Sequence, residues 1–392
     1  MVMMVNNTTE LFASLTPEEI ALSNELQQII IQEIETSGGM IKFSRYMELA
    51  LYYPRLGYYS NPLFKFGAKG DFITAPLISN VFGYLLSRQI SELFAFGTAA
   101  NILEFGAGNG KLAVDILSSL GDSIDHYYII ELSANLIAWQ KETIANKVPH
   151  LVDKVRWLSD IPDGFNGVIL ANEVLDAQPC ELISYRDGLA YGLGVAYTNS
   201  KLVYQDYPLN NQDIVNTNSV PQLDYHDYVT EVHIANQLFM RTLANKLATG
   251  AILLIDYGVS ENEYYHPHKA RGTLRGFFRQ HVIDDVLIYP GLMDITCSVN
   301  WSMIARTAID NDLDFIGYTN QGGFLINCGL DDVMRELQVQ LPEGQYLQIS
   351  NQVNKLISHN EMGELFKVCG FSKNLPQDSW CGFTNFDRSY AL

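Results

Sequence analysis

Glu104-Phe105-Gly106-Ala107-Gly108-Asn109-Gly110 is the stretch on which the reading of this chain turns. It ends the apolar run that starts at Asn101-Ile102-Leu103 and precedes a helical stretch, Leu112 to Leu120. The pattern is a first strand turning into a helix. Glycine at such a turn permits positive φ and lets backbone approach a bound molecule closely. The spacing is G-x-G-x-G, not the G-x-G-x-x-G of dinucleotide sites, and there is no Walker pattern although Lys111 follows Gly110. A pyrophosphate at a helix N-terminus is disfavoured by a neighbouring acid, and Glu104 stands just before the turn. The turn therefore reads as the seat of a ligand with a cationic group. The competing reading is a glycine turn that merely packs.

Outward from the turn, short apolar runs alternate with helical stretches. Strand one is Asn101 to Phe105, strand two His126 to Glu131, strand three Lys154 to Leu158 and strand four Gly167 to Ala171, with a helix from Asn135 to Ile144. Strand five is Ala251 to Asp256, strand six lies near Asp314 to Thr319, and strand seven near Phe366 to Phe371. Apolar strands joined through helices form a buried, mostly parallel sheet with right-handed crossovers. Upstream, Thr16-Pro17-Glu18-Glu19 combines a capping threonine, an N1 proline and the acid of a capping box, so a helix runs to about Thr36 and stops at Gly38-Gly39. Further helices cover Phe43 to Tyr52 and Leu77 to Phe96. Glu181 to Tyr207 is an antiparallel meander with turns at Asp187-Gly188 and Asn199-Ser200. A polar loop, Asn210 to Val220, and a helix from Val232 to Ala248 follow. The α/β organisation expected is an N-terminal helical region with a covering loop over 1–96. A Rossmann-like domain of seven strands then fills 97–392, with insertions after strands four and five at about 177–230 and 259–313.

Composition narrows the function. The 392 residues are 47% hydrophobic and 18% charged, enough for a large core and too apolar for disorder. A formal net charge of −19 repels phosphate backbones, so nucleic acid is not expected as a partner and a cationic one is. Cys180, Cys297, Cys328, Cys369 and Cys381 are scattered with no C-x-x-C, which suits a reducing compartment. His266-Pro267-His268 lacks a third ligand, so no metal is expected. The first basic residue is Lys42 and no apolar run nears the ~20 residues a bilayer requires. A cytoplasmic protein without membrane insertion is the expectation; the oligomeric state is not legible.

The acids near the glycine turn point to S-adenosylmethionine, whose sulfonium and amino groups are cationic. Gly106, Gly108 and Gly110 would form its seat, with Glu104 beneath. Glu131 ends strand two about twenty residues beyond Gly110, where an acid accepts both ribose hydroxyls. Asp160, just past strand three, either accepts from the adenine amino group or is an ordinary exposed loop acid. Strand four runs into Asn172-Glu173-Val174-Leu175-Asp176-Ala177-Gln178-Pro179, and ligands of open parallel sheets bind at the carboxyl ends of strands. Asn172 is placed on the cofactor side. If a helix begins there, Glu173 and Asp176 share one face and can clamp a guanidinium. The alternative makes Asp176 a helix cap and Glu173 a salt-bridge partner. In the loop before Pro76, Asp71 and Thr74 either close over the cofactor or belong to a connector. Arg275, Arg279 and His281 form a basic cluster that lines the substrate side with Asp294, unless the arginines pair with Asp284 and Asp285.

The chain resembles the MidA family over nearly its whole length. The resemblance is carried by Tyr46 to Tyr52, Gly70-Asp71-Phe72-Ile73-Thr74-Ala75-Pro76, the Glu104 to Gly110 turn and Asn172 to Ala177. Gly272-Thr273-Leu274-Arg275-Gly276-Phe277 and Pro290-Gly291-Leu292-Met293-Asp294-Ile295-Thr296 carry it further. It implies a class I methyltransferase fold, S-adenosylmethionine as cofactor, and a protein substrate with a target arginine, on a respiratory complex I subunit for the mitochondrial members. The acidic N-terminus fits a bacterial member better. Gln178 departs from the hydrophobic residue usual after Asp-Ala, which bears on fine specificity. Methylation of a small molecule or another side chain, and a cofactor-binding assembly chaperone without catalysis, are the rival functions.

Overall fold

In the computed structural model, residues 11–63, 74–209, 223, 225–376 and 379–392 are described. The chain forms two compact units. One comprises Ile73–Leu175, Phe239–Ser260 and Trp301–Leu392. Its strands are β1 (Asn101–Phe105), β2 (His126–Ile130), β3 (Val155–Leu158), β4 (Phe165–Asn172), β5 (Leu247–Val259), β6 (Asp314–Asn320) and β7 (Phe366–Lys373). They lie in the order β6-β7-β5-β4-β1-β2-β3, and only the β7 pairings are antiparallel along this path. Each expected strand is present, with β5 longer than the sequence pattern implied. Val168, Leu170, Ala251, Leu253 and Val368 are fully buried, as a sheet covered on both faces demands.

Register places the site. Phe105 pairs with Ile130 and with Ala171, and Asn172 pairs with Ile255. The carboxyl ends of β1, β2 and β4 therefore come level along one edge of the sheet, beside Ile255 of β5. The glycine turn, Glu131 and Asn172 leave from that edge.

The helix expected over Leu77 to Phe96 is two helices, Ala75–Ile78 and Asn80–Ala95. Ser79 breaks them: its backbone is extended at φ −154° and its hydroxyl accepts from the Val81 N–H, capping the second helix. That helix buries Leu85, Leu86, Ile90 and Leu93 in the core of the sheet unit. The expected boundary at residue 96 is thus displaced, because the residues after Ile73 go with the sheet. Four helices between β6 and β7 had no counterpart in the sequence reading: Gln321–Asn327, Leu330–Gln340, Glu343–Ile357 and Met362–Leu365.

The other unit comprises Met1–Phe72, Asp176–Leu238 and Glu261–Asn300, so both insertions group with the N-terminal segment. The capping box is present: the Thr16 N–H donates to Glu19 Oε2 at 2.7 Å and the Glu19 N–H to Thr16 Oγ1 at 3.2 Å, opening the helix Pro17–Thr36. Glu181–Arg186, Leu189–Thr198 and Lys201–Pro208 form the meander. Its turns have positive φ at Asp187, Gly188, Asn199 and Ser200, the type I′ geometry that twisted hairpins favour. Tyr228–Val232 is a fourth antiparallel strand beside Glu181–Arg186, so the helix expected from Val232 starts at Ile234 instead. The insertion expected over 259–313 splits: Arg275–Phe278, His281–Ile283 and Asp294–Thr296 form a small sheet here, whereas the helix Trp301–Ile309 belongs to the sheet unit. Leu26, Ile30, Tyr46, Met47, Leu182, Val195, Phe278 and Ile295 share one core. Each such side chain, fully buried, contributes roughly 1.5–3 kcal/mol, which accounts for three separated stretches folding together.

Candidate active site

The glycine turn has the geometry its sequence requires. Gly106, Gly108 and Gly110 have φ of +61°, +53° and +83°, a region L side chains seldom enter. A Cβ on Gly106 would stand 3.3 Å from Val174 Cγ2, and one on Gly110 3.3 Å from Gln140 Cα. Asn109 Oδ1 accepts from the Lys111 N–H at 3.0 Å and opens the helix Lys111–Leu120. The Lys111 ammonium is bound by the Asp115 carboxylate one helical turn on, so it does not serve as a phosphate ligand.

Glu104 is only 2% exposed and accepts from the Tyr127 hydroxyl at 2.7 Å. Burial pushes its carboxyl up to about 7, against the pull of the Tyr127 bond, with a smaller contribution from the Glu131 charge. An acid whose pKa is raised in the folded protein is protonated below that value. A cationic ligand nearby requires the ionised form, so binding releases a proton below pH 7. Cofactor affinity is expected to fall about tenfold between pH 8 and pH 6 from this group. Calorimetry across that range checks it, and a Glu104→Gln chain should show a flat profile.

Glu131 follows β2. Its Oε1 accepts from the Ser133 N–H at 3.0 Å and its Oε2 from Gln140 Nε2 at 3.1 Å. Burial raises its pKa. Gln140 is fully buried and ties three parts together: Nε2 also donates to the Gly108 carbonyl at 3.0 Å, and Oε1 accepts from Trp157 Nε1 at 2.8 Å. The sequence reading missed Gln140. Its signal was a glutamine on the buried stripe Leu136, Gln140, Ile144 of the helix Ala134–Lys147. Asp160 is placed otherwise than Glu131: its side chain is 70% exposed, with Oδ2 3.3 Å from Lys246 Nζ and Oδ1 accepting from the Ile161 N–H at 2.8 Å.

Beyond β4 no helix begins; the next element is the strand Glu181–Arg186. The expectation that Glu173 and Asp176 share a helical face is therefore corrected, and Asp176 caps no helix. The cause is a pair of backbone ties to β5. The Glu173 N–H donates to the Ile255 carbonyl at 2.8 Å, and the Leu175 N–H to Asp256 Oδ2 at 2.9 Å. Asp256, fully buried, is a second residue the sequence reading passed over. Glu173 takes φ +55°, a strained conformation for a side chain of its size and one that collects at functional sites. Asn172 Nδ2 donates to Glu173 Oε1 at 3.2 Å, while Asn172 Oδ1 is buried without a hydrogen-bond partner. A buried side-chain carbonyl without a partner at the carboxyl edge of the sheet is open to a donor from a ligand.

Thr74 precedes the helix Ala75–Ile78 without a side-chain capping bond; Asp71 lies outside the described residues. In the other unit, the basic cluster does not hold together. Arg279 donates to Ser14 Oγ at 2.7 Å and to Glu19 Oε1 and Oε2 at 2.8 and 3.0 Å. Arg275 Nη1 donates to the Leu274 carbonyl at 2.5 Å and its Nε lies 3.7 Å from the exposed Asp284. His281 Nδ1 is buried without a hydrogen-bond partner. Asp294 is 5% exposed and its Oδ1 accepts from the Tyr59 hydroxyl at 2.7 Å.

A sequence family described as "Putative S-adenosyl-L-methionine-dependent methyltransferase" matches residues 85–319. The chain belongs to this methyltransferase family, the MidA type of class I enzyme. It is 30% identical over 84% of its length to "Protein arginine methyltransferase NDUFAF7, mitochondrial" of Danio rerio, covering 82% of that protein. The mouse protein of the same name is also 30% identical, over 84% of this chain and 80% of its own. A Burkholderia thailandensis structure bound to S-adenosyl-homocysteine superposes with a TM-score of 0.90 at 39% identity, covering 96% of this chain and 99% of that one. The MidA family, the class I fold, and S-adenosylmethionine as cofactor are thus as expected from the sequence. The residues fit that cofactor: an open glycine turn, the acid Glu131 held ready by Gln140, the buried Glu104 and the unsatisfied Asn172 carbonyl. Among the described residues, no helix is long and apolar enough to cross a membrane.

Proposed function

We propose that this MidA-type enzyme methylates an arginine of a protein, with Glu173 as the principal clamp on the guanidinium and Asp176 as its helper. The observation that carries this reading is Glu173 itself. It is a carboxylate held at φ +55° at the end of β4, directly after the unsatisfied Asn172 carbonyl, with its backbone pinned to β5. A carboxylate in that place can orient a planar cation through paired, charge-assisted hydrogen bonds. The relatives named as protein arginine methyltransferases support the choice of acceptor, and the resemblance makes a respiratory complex I subunit the acceptor to look for. Asp160 on the adenine, Asp71 and Thr74 over the cofactor, and Arg275, His281 and Asp294 on the substrate side complete the proposal. The five cysteines are all free, which suits a reducing compartment such as the cytoplasm.

The test is to incubate the protein with methyl-labelled cofactor and lysate from a strain lacking this gene, then hydrolyse the labelled proteins. Methylarginine is the expected product. Label confined to small molecules or to another amino acid moves the small-molecule or other-side-chain reading ahead. Cofactor binding without any transfer moves the chaperone reading ahead.

A further inference from the structure

The unit that contains Asp176 also contains a buried polar chain that the cofactor site does not use. Glu231, 1% exposed, accepts on Oε1 from the Thr273 and Leu274 N–H groups, each at 2.7 Å. On Oε2 it accepts from the Tyr264 hydroxyl at 2.8 Å and from Thr273 Oγ1 at 3.2 Å. Room for this carboxylate exists because residue 272 is glycine: a Cβ there would stand 2.3 Å from Oε1. The Tyr264 oxygen is in turn 2.8 Å from His233 Nε2, and His233 Nδ1 is 3.9 Å from Cys297 Sγ. The Cys297 N–H donates to the Asp176 carbonyl at 3.0 Å.

Proton counting fixes the direction of the chain. Tyr264 has one hydroxyl proton and gives it to Glu231, so towards His233 its oxygen can only accept. Nε2 therefore carries the imidazole hydrogen. Burial pulls His233 down to about 4, so the ring is neutral near pH 7 and Nδ1 is a bare acceptor facing the thiol. The neighbouring Cys180 thiol, then burial, raise Cys297 well above the ordinary thiol range, so it keeps its proton. That proton has three acceptors in reach, Nδ1 at 3.9 Å, the Asp176 carbonyl at 3.7 Å and the neighbouring Cys180 sulfur. In every case the backbone bond from Cys297 to Asp176 stands.

Such a chain adds little net stability, since a buried polar network can be replaced by packed apolar side chains at no loss. What it provides is position. Cys297 directly follows the strand Asp294–Thr296, so the chain ends on the Asp176 backbone and at the end of the strand that begins with Asp294, the two carboxylates assigned to the substrate in this unit. We infer that Glu231, Tyr264, His233 and Cys297 are positioning residues that fix Asp176 and Asp294 for a cationic acceptor side chain. This rests on the arginine reading only for the identity of the acceptor.

The test uses the full chain with His233→Leu, which removes the Nε2 donor, and His233→Gln, whose amide can reach Tyr264 as Nε2 does. Hydrogen exchange read by mass spectrometry should be about tenfold faster in His233→Leu in peptides containing Cys297 and Asp176, and unchanged in the peptide containing the glycine turn. Methyl transfer to the gene-deletion lysate should fall about tenfold at constant cofactor affinity. His233→Gln should restore both. Joined to Asp176→Asn, His233→Leu should add little further loss, because both act at one point. Unchanged exchange at Cys297 and Asp176, a uniform acceleration along the whole chain, or fully additive losses would each overturn the proposal. If the wild-type protein forms no methylarginine, the arginine reading fails, yet the exchange comparison still decides whether this chain holds Asp176.

Discussion

A Gly108→Val chain is expected to fold and to lose binding of S-adenosylmethionine, with Kd weakened by roughly a hundredfold or more. Gly108 sits at φ +53°. A β-branched residue there either keeps the left-handed conformation at a cost of about 1–2 kcal/mol or turns the peptide out of it. Turning is resisted, because Gln140 Nε2 holds the Gly108 carbonyl at 3.0 Å and also holds Glu131. Rotation of that peptide would break the link between the turn and the acid assigned to the ribose. Keeping the conformation places a branched side chain where backbone should meet the ligand. Both outcomes spoil the seat. Neither threatens the fold, whose stability of order 5–15 kcal/mol exceeds the strain. Calorimetry measures the binding and a thermal melt the fold. Wild-type affinity in this chain would remove the glycine turn as the cofactor's seat.

The sheet and the turn were legible because their signals are local. β1 through β4 are apolar runs bounded by turn residues, and Gly106, Gly108 and Gly110 announce their positive φ by being glycines. The type I′ turns at Asp187-Gly188 and Asn199-Ser200 were legible for the same reason. What the sequence did not disclose depends on residues distant in the chain. Gln140 looks like any helical glutamine until the Gly108 carbonyl and Trp157 are brought to it. Asp256 is the end of an apolar strand until its carboxylate meets the Leu175 N–H and replaces the helix expected after Asn172. Arg279 reads as part of a basic cluster until the N-terminal helix brings Glu19 to within 2.8 Å. His233 and Tyr264 are 31 residues apart and reveal a relay only when Glu231 and Cys297 close it.

Glu173→Gln is expected to cut methyl transfer at least tenfold while leaving cofactor affinity nearly unchanged. An arginine side chain stays protonated in water, with a pKa above about 12, and no ordinary side chain removes that proton beforehand. The bound cofactor supplies an electrophilic methyl group on a sulfonium. The chain's own residues must then turn one guanidinium nitrogen towards that group and hold the positive charge on the others, so that the proton leaves as the new bond forms. A carboxylate does this through two parallel, charge-assisted hydrogen bonds. Glutamine keeps the length and one acceptor oxygen, and the backbone at φ +55° strains it no more than glutamate. The Asn172 amide can still donate to that oxygen, as it does to Glu173 Oε1 at 3.2 Å. Only the charge and the second acceptor are lost. A charged hydrogen bond is worth about 1.5–3 kcal/mol, or a tenfold to hundredfold change in rate. Because the cofactor is already cationic, removing a nearby negative charge weakens its binding slightly, and the larger loss falls on turnover. Steady-state rates with the labelled lysate acceptor, beside calorimetric cofactor affinities, separate the two. Transfer by Glu173→Gln at the wild-type rate would show that no charge on residue 173 orients the acceptor, and the double-carboxylate mechanism would fall with it.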